Sequence, residues 1–256
     1  TDYKDDFTTP DNFILASGFK DNLSAGFAEA DIFFSNKFAM KLGLRGEHSS
    51  FLDDTNIAPR VSLAYKSSEK EQFSLAYGNF YQNPLTESLK FDQSLDFEKT
   101  AHYILNYQYN AERRIFRAEA YYKKYDNLVK FSDEFPDFNS SFSNDGTGYA
   151  SGIDFFWRDS KSVKNVDYWV SYSFLDTKRE YNNFPDKARP NFVNPHNLSV
   201  VGKYWINDWR SQVGFAYSFA SGRTYTNPNE SGFLNEKTKP YNSLSLNWAY
   251  LISPQK

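Results

Sequence analysis

Apolar and polar residues alternate twice between Ile57 and Pro84, with a short polar break between the two runs. In the first run Val61, Leu63 and Tyr65 fall on one side, and Arg60, Ser62, Ala64 and Lys66 on the other. In the second, Phe73, Leu75 and Tyr77 share a side opposite Ser74, Ala76 and Gly78. A period of two is that of a β-strand, so Ser67–Glu71 is read as the turn of a hairpin. The same pattern recurs over residues 23–34, 38–49, 103–109, 116–123, 153–158, 166–174, 198–204, 213–219 and 243–250. The chain therefore predicts about eleven strands, each near ten residues, while polar residues 1–21 read as the end of a loop. Short turns at 35–37, 67–71, 110–112, 160–165 and 207–208 alternate with long connections at 81–97, 126–148, 177–195 and 221–240.

Strands of about 9–11 residues suit a tilted bilayer crossing, whereas strands of soluble proteins average about 5–6. Turns that are short at one end and long at the other, with Tyr, Trp and Phe near the ends of the apolar rows, mark an outer-membrane barrel. The expected fold is all-β, a transmembrane antiparallel β-barrel with its long loops extracellular and its short turns periplasmic. A soluble β-sandwich binding module is the alternative, since it too alternates.

Composition sharpens this picture in a few places. Of 256 residues, 25 are Phe and 19 Tyr, enough to furnish aromatic girdles. A mean hydropathy of −0.69 points superficially to a soluble protein. A barrel, however, shows its apolar face only at alternate positions. There is no cysteine, which removes disulfides and thiolate metal sites. A net charge of −3 argues against a nucleic-acid footprint. The polar face mixes Glu29, Asp31, Glu47, Glu119, Asp154 and Asp167 with Lys41, Arg45, Arg60, Arg117, Arg158, Lys203 and Arg210, a lining that suits a wet pore or a barrel filled by a polar plug. His48, His102 and His196 lie on three separate strands, so no catalytic constellation is expected and the chain is read as a non-enzyme. Asp133, Glu134 and Asp137 are the acidic loop residues that could meet a calcium ion, but the expectation is no metal and no cofactor.

Several stretches taken together resemble one family. APRVSLAY (58–65) and AYGNFYQNP (76–84) are similar to a rising strand that ends in an aromatic-x-x-Pro rim. FEKTAHYILNYQY (97–109), FRAEAYYKKYDNLV (116–129), NDGTGYASGIDFFW (144–157), HNLSVVGKY (196–204), FASGRTYT (219–226) and YNSLSLNWAYL (241–251) follow in the same order as in the TonB-dependent outer-membrane receptors. The resemblance covers essentially the whole chain. It implies the C-terminal portion of such a barrel domain over residues 1–256, about half of a roughly 22-stranded barrel, with the plug domain and closing strand absent. It further implies an outer-membrane importer of a scarce solute (siderophore, glycan, peptide or cobalamin) driven by TonB through the plug. A passive pore or a surface structural or adhesion barrel is the alternative. The implied partners are outer-membrane lipid and lipopolysaccharide, the TonB complex, a small or oligomeric solute and a surface lipoprotein. The bias to Phe, Tyr, Asn and Lys suggests a Bacteroidota-like source.

Solute contacts are expected at the extracellular rim, where polar and aromatic side chains stand at the lumen mouth. The candidates are Tyr81, Gln82 and Asn83 after one strand, Phe131, Phe135, Phe138 and Phe142 in the aromatic loop, and Arg223 and Tyr225 after Phe219. Aromatic faces stack on rings, and an arginine grips a carboxylate or phosphate. The same residues could equally pack the loops together.

Overall fold

The computed structural model describes residues 2–8, 14–134 and 136–252. One antiparallel sheet of eleven strands dominates it. In chain order its first six members are β3 (Leu23–Phe33), β4 (Phe38–Ser49), β5 (Asp54–Ser68), β6 (Glu71–Gln82), β7 (Glu98–Ala111) and β8 (Arg114–Phe131). They are followed by β9 (Phe142–Asp159), β10 (Val166–Glu180), β11 (His196–Ile206), β12 (Ser211–Ala220) and β15 (Tyr241–Tyr250). Each strand pairs with its sequence neighbour in the sheet, a plain meander. A separate hairpin, β1 (Asp2–Thr8) with β2 (Ile14–Lys20), precedes the sheet. The short pair β13 (Thr224–Tyr225) and β14 (Glu236–Lys237) lies in the loop before β15, and one helical turn, α1 (Thr86–Leu89), follows β6.

The alternation read from the sequence becomes two distinct faces. Register aligns Leu63, Leu75, Leu105, Ala120 and Ile153 in one row across β5–β9. Leu75, Leu105 and Ile153 keep 53%, 48% and 41% of their surface exposed, so this row has no protein partner and meets lipid. Aromatic rows flank it one pleat away. Above, Tyr77, Tyr103 and Tyr122 stand with ring centroids 5.1 and 6.3 Å apart. Below, Phe73 and Tyr107 stand 4.8 Å apart, and Phe116, a further pleat down, lies 6.0 Å from Tyr107. The tyrosines among them, apolar in the ring and polar at the tip, suit the edge of a lipid-facing band.

All connections at one end are short: 34–37, 69–70, 112–113, 160–165 and 207–210. Asp159 closes one of them, accepting the amides of Lys161 and Ser162 at 2.8 and 2.9 Å. Arg113 and Arg210 take positive φ values of 59° and 45° where the chain reverses. Arg210 thus belongs to a turn and not to the polar row in which its alternation sets it.

Two parts of the sequence reading are corrected at the other end. Residues 2–8 and 14–20, expected as loop, pair as the β1–β2 hairpin. The loop expected over 126–148 is mostly strand, because β8 runs on to Phe131 and β9 starts at Phe142. Asn127, at φ 59°, breaks the period: the register shifts between Tyr125 and Leu128, and alternation stops being readable. Asparagine tolerates this left-handed backbone better than most residues.

The buried core of the chain sits not in the sheet but in this rim. Leu89, Leu95 and Val129 are buried together, packed by Phe19, Phe51, Leu52, Phe131 and Phe142. Asp21, itself buried, accepts hydrogen bonds from Ser49 Oγ (2.8 Å), the Phe51 amide (3.2 Å) and Asn83 Nδ2 (2.7 Å). Asn144 ties the loop before β7 to the β8 bulge, receiving the Asp96 amide and donating to the carbonyls of Asp96 and Asn127. The loops thus form a packed cap over one end of the sheet.

Placing arginine at Leu105 in the bilayer-embedded protein should cost about 2–4 kcal/mol, and at Ser62 on the opposite face less than half of that. Denaturant unfolding from liposomes checks this. Equal losses on both faces would mean that both are buried in protein, as in a sandwich.

Candidate functional site

Beneath the cap, on the face away from lipid, lies a cleft of about 310 Å³. Its floor is a row that runs Phe80, Thr100, Tyr125, Gly148 and Arg179 across β6–β10. Leu128, Val129, Tyr181 and Asn182 rise above the floor as walls. Opposite them, Gln82 Nε2 donates to Glu98 Oε2 at 2.7 Å, and Glu98 Oε1 accepts the Val129 amide at 3.0 Å. That carboxylate fastens the cap to the sheet at the edge of the cleft.

Arg179 is the centre of the site. Its guanidinium lies 4.2 Å over the Tyr125 ring and 5.9 Å from the rings of Tyr181 and Phe192. Its backbone is fixed by a reciprocal pair of hydrogen bonds with Ala188, at 2.8 and 3.0 Å. Its Nε is buried and has no hydrogen-bond partner among the described residues. No carboxylate forms an ion pair with it there either. A half-buried cation held by aromatic faces, with a donor left over, has the chemistry of an anion receptor. Burial pushes the Tyr181 phenol up, with Arg179 pulling the other way, so this ring keeps its proton and stays a donor at neutral pH.

Space for this arrangement comes from β9. Gly146, Gly148, Ala150 and Gly152 occupy successive inward positions and are all buried. A Cβ on Gly148 would lie 2.8 Å from Arg179 Cγ and 2.9 Å from the Lys178 carbonyl oxygen. The bare backbone at 148 is what lets the arginine side chain lie across the strand onto Tyr125.

Of the nine residues nominated from sequence, the eight that are described lie in separate places. Tyr81 and Gln82 line the cleft, with Lys99 Nζ 5.8 Å from the Tyr81 ring. Asn83 turns away to Asp21. Phe131 and Phe142, ring centroids 5.7 Å apart, pack on the cap core, and Phe138 stands edge-on to Phe91 at 5.1 Å with half its surface exposed. Phe135 lies outside the described residues. Arg223 and Tyr225 belong to the loop before β15 and do not reach the cleft. Arg223 Nε donates to Asn194 Oδ1 at 2.9 Å, and the Tyr225 hydroxyl donates to the Glu236 carboxylate. Of the loop acids, Asp137 serves its own turn, accepting the Asn139 amide at 2.8 Å. Sequence reasoning missed Phe80, Tyr125, Arg179 and Tyr181. The alternating small residues of 146–152 were the signal that something large lies across them.

Compared with known proteins, residues 1–253 match the family described as "TonB dependent receptor-like, beta-barrel". No curated protein matches the sequence. Among solved structures, the siderophore receptor PirA from Acinetobacter baumannii is 12% identical with a TM-score of 0.73, over 94% of this chain and 40% of that one. A mutant of the ferric enterobactin receptor from Pseudomonas aeruginosa, in complex with enterobactin, is 12% identical with a TM-score of 0.72, over 95% and 39%. The FrpB iron transporter from Neisseria meningitidis is 13% identical with a TM-score of 0.72, over 93% and 39%. At these identities the likeness is one of fold. The chain spans about two-fifths of the length of these structures.

Gly148→Ala should lower stability by about 1–3 kcal/mol through overpacking against Arg179. Gly26→Ala, where nothing lies within 4 Å, should change it by less than about 0.5 kcal/mol. Paired unfolding curves separate the two cases.

Proposed function

The chain belongs to the TonB-dependent receptor-like β-barrel family of outer-membrane transport receptors, and from that premise we propose that its cleft binds an anionic, ring-bearing solute for active import. The observation that carries this reading is Arg179, stacked on aromatic rings, with no carboxylate partner among the described residues and with a buried Nε. A solute with acidic oxygens gives the guanidinium of Arg179 an acceptor, and a solute with flat rings gives Tyr125 and Tyr181 faces to meet. Ferric siderophores built on catecholate groups have both features. A neutral glycan leaves the arginine unsatisfied. On this reading TonB supplies the energy through a plug domain, and the tyrosine belt meets lipopolysaccharide at the outer leaflet. Solute delivery by a surface lipoprotein fits the exposed cap, whose Phe138 faces outward.

Uptake of radiolabelled iron as its tris-catecholate complex tests the proposal in cells that carry the full receptor as their route for it. Arg179→Ala should reduce uptake at limiting solute by roughly tenfold or more, the loss of one charge-assisted hydrogen bond. Tyr125→Phe should retain most of it, because the ring face stays. Uptake that persists without the proton-motive force would favour a passive pore, and uptake indifferent to Arg179 would remove the cleft from the pathway.

A further inference from the structure

One pleat below the cleft floor, the next inward row runs Arg60, Gly78, His102 and Lys123 across β5–β8. The Arg60 guanidinium lies 4.5 Å over the Phe80 ring, and the His102 ring packs on the same phenyl at a centroid distance of 4.4 Å. Gly78 makes this possible, since a Cβ there would approach Arg60 Cγ to 3.2 Å and Phe80 to 3.3 Å. Lys123 Nζ stands 5.4 Å from the Tyr121 ring, which itself lies across the bare backbone of Gly152. Neither Arg60 nor Lys123 forms an ion pair among the described residues. The row continues the other way through Gly43 to Glu29. A Cβ on Gly43 would lie 3.6 Å from Glu29 Oε1 and 3.7 Å from Arg60 Cβ. A recess of about 200 Å³ beside Arg60 and His102 is lined by Glu29 and Lys41 as well.

The next charges down the same wall are of the opposite sign. Glu119 and Asp154 are direct cross-strand partners, four residues along β8 from Lys123 or about 13 Å of strand. Among the described residues neither has a cationic partner, although opposed like charges destabilise a sheet.

We propose that Arg60, His102 and Lys123 form a second anion-binding ledge, distinct from the Arg179 cleft, that takes a carboxylate or phosphate-type oxyanion, with Glu119 and Asp154 as the repulsive step beneath it. Two cations braced on aromatic rings attract the anion, the imidazole adds a hydrogen-bond donor, and the acid pair opposes its descent. The ledge rests on the importer reading only for the source of its ligand; its binding chemistry does not depend on transport.

The test is calorimetric titration of the purified full-length receptor in detergent at low salt, with inorganic pyrophosphate as the probe. In an Arg179→Ala background, which removes the cation of the cleft, one saturable site is expected, and the further variants are made in that background. Arg60→Ala and Lys123→Ala should each weaken it roughly tenfold, and Arg60→Lys, which keeps the charge and loses the planar fork, should fall between. Glu119→Gln with Asp154→Asn should tighten it severalfold, which a generally loosened lumen cannot do. Arg117→Ala, six residues or about 20 Å along β8 from Lys123, should weaken it by much less than either ledge variant, since attraction falls with distance. Absence of saturable binding in the Arg179→Ala background would overturn the ledge, since an acid of the receptor itself would then hold these cations. Equal losses in the Arg60 and Arg117 variants would overturn it too, by showing only diffuse attraction. Uptake of the tris-catecholate is a separate readout, so failure of the cleft reading leaves this titration interpretable.

Discussion

Hydrocarbon offers a backbone amide no water, so every inward step of a chain through a membrane must be hydrogen-bonded to protein. The meander of eleven strands answers that constraint, each strand bonded to the next in unbroken register except at a few bulges. Everything else in the molecule follows from the two-residue period that the ladder imposes. Because alternate side chains must face lipid, an apolar core inside the sheet is ruled out, and the buried hydrophobic cluster forms at the rim around Leu89, Leu95 and Val129. The other half of the side chains is free to be polar, charged or absent altogether.

Absence is the more informative of these. The inward column of β9 is Gly, Gly, Ala, Gly, and large side chains from the strands on either side fold across it: Tyr121 over Gly152, Arg179 against Gly148. A cation lying flat along a wall, stacked on an aromatic ring, is partly stripped of water without being buried in the protein interior. That intermediate state makes it ready for an anion at a lower desolvation cost than a fully hydrated lysine. The cleft and the ledge beneath it share this construction, with Phe80 common to the wall of both.

The face, order and number of the spanning strands could be read from alternation, because lipid enforces it at every position from Leu63 to Leu246. The rim could not be read in that way. Asn127 shifts the register by a bulge, and the strand beyond it looks like loop. The aromatics of 131–142 stand open between ring-stacking contacts and loop packing, since a phenyl side chain in a polar stretch looks the same whether it meets a solute or a neighbouring loop; Phe131 and Phe142 pack on the cap core. Arg179 falls in the connection expected over 177–195 and Tyr125 beyond the alternation read over 116–123, and that they meet depends on pairing across three strands and on a glycine between them. No local pattern carries that information.

Asp21 bonds to partners 28, 30 and 62 positions away in the sequence. Closing such long loops is entropically costly, and their contacts return nothing until the intervening strands are in place. The cap must therefore be among the last parts of the chain to assemble, after β3–β6 have zipped into register. A nascent barrel would enter the membrane with its mouth still open, and the polar rim would set on the far side only once translocation had delivered it there.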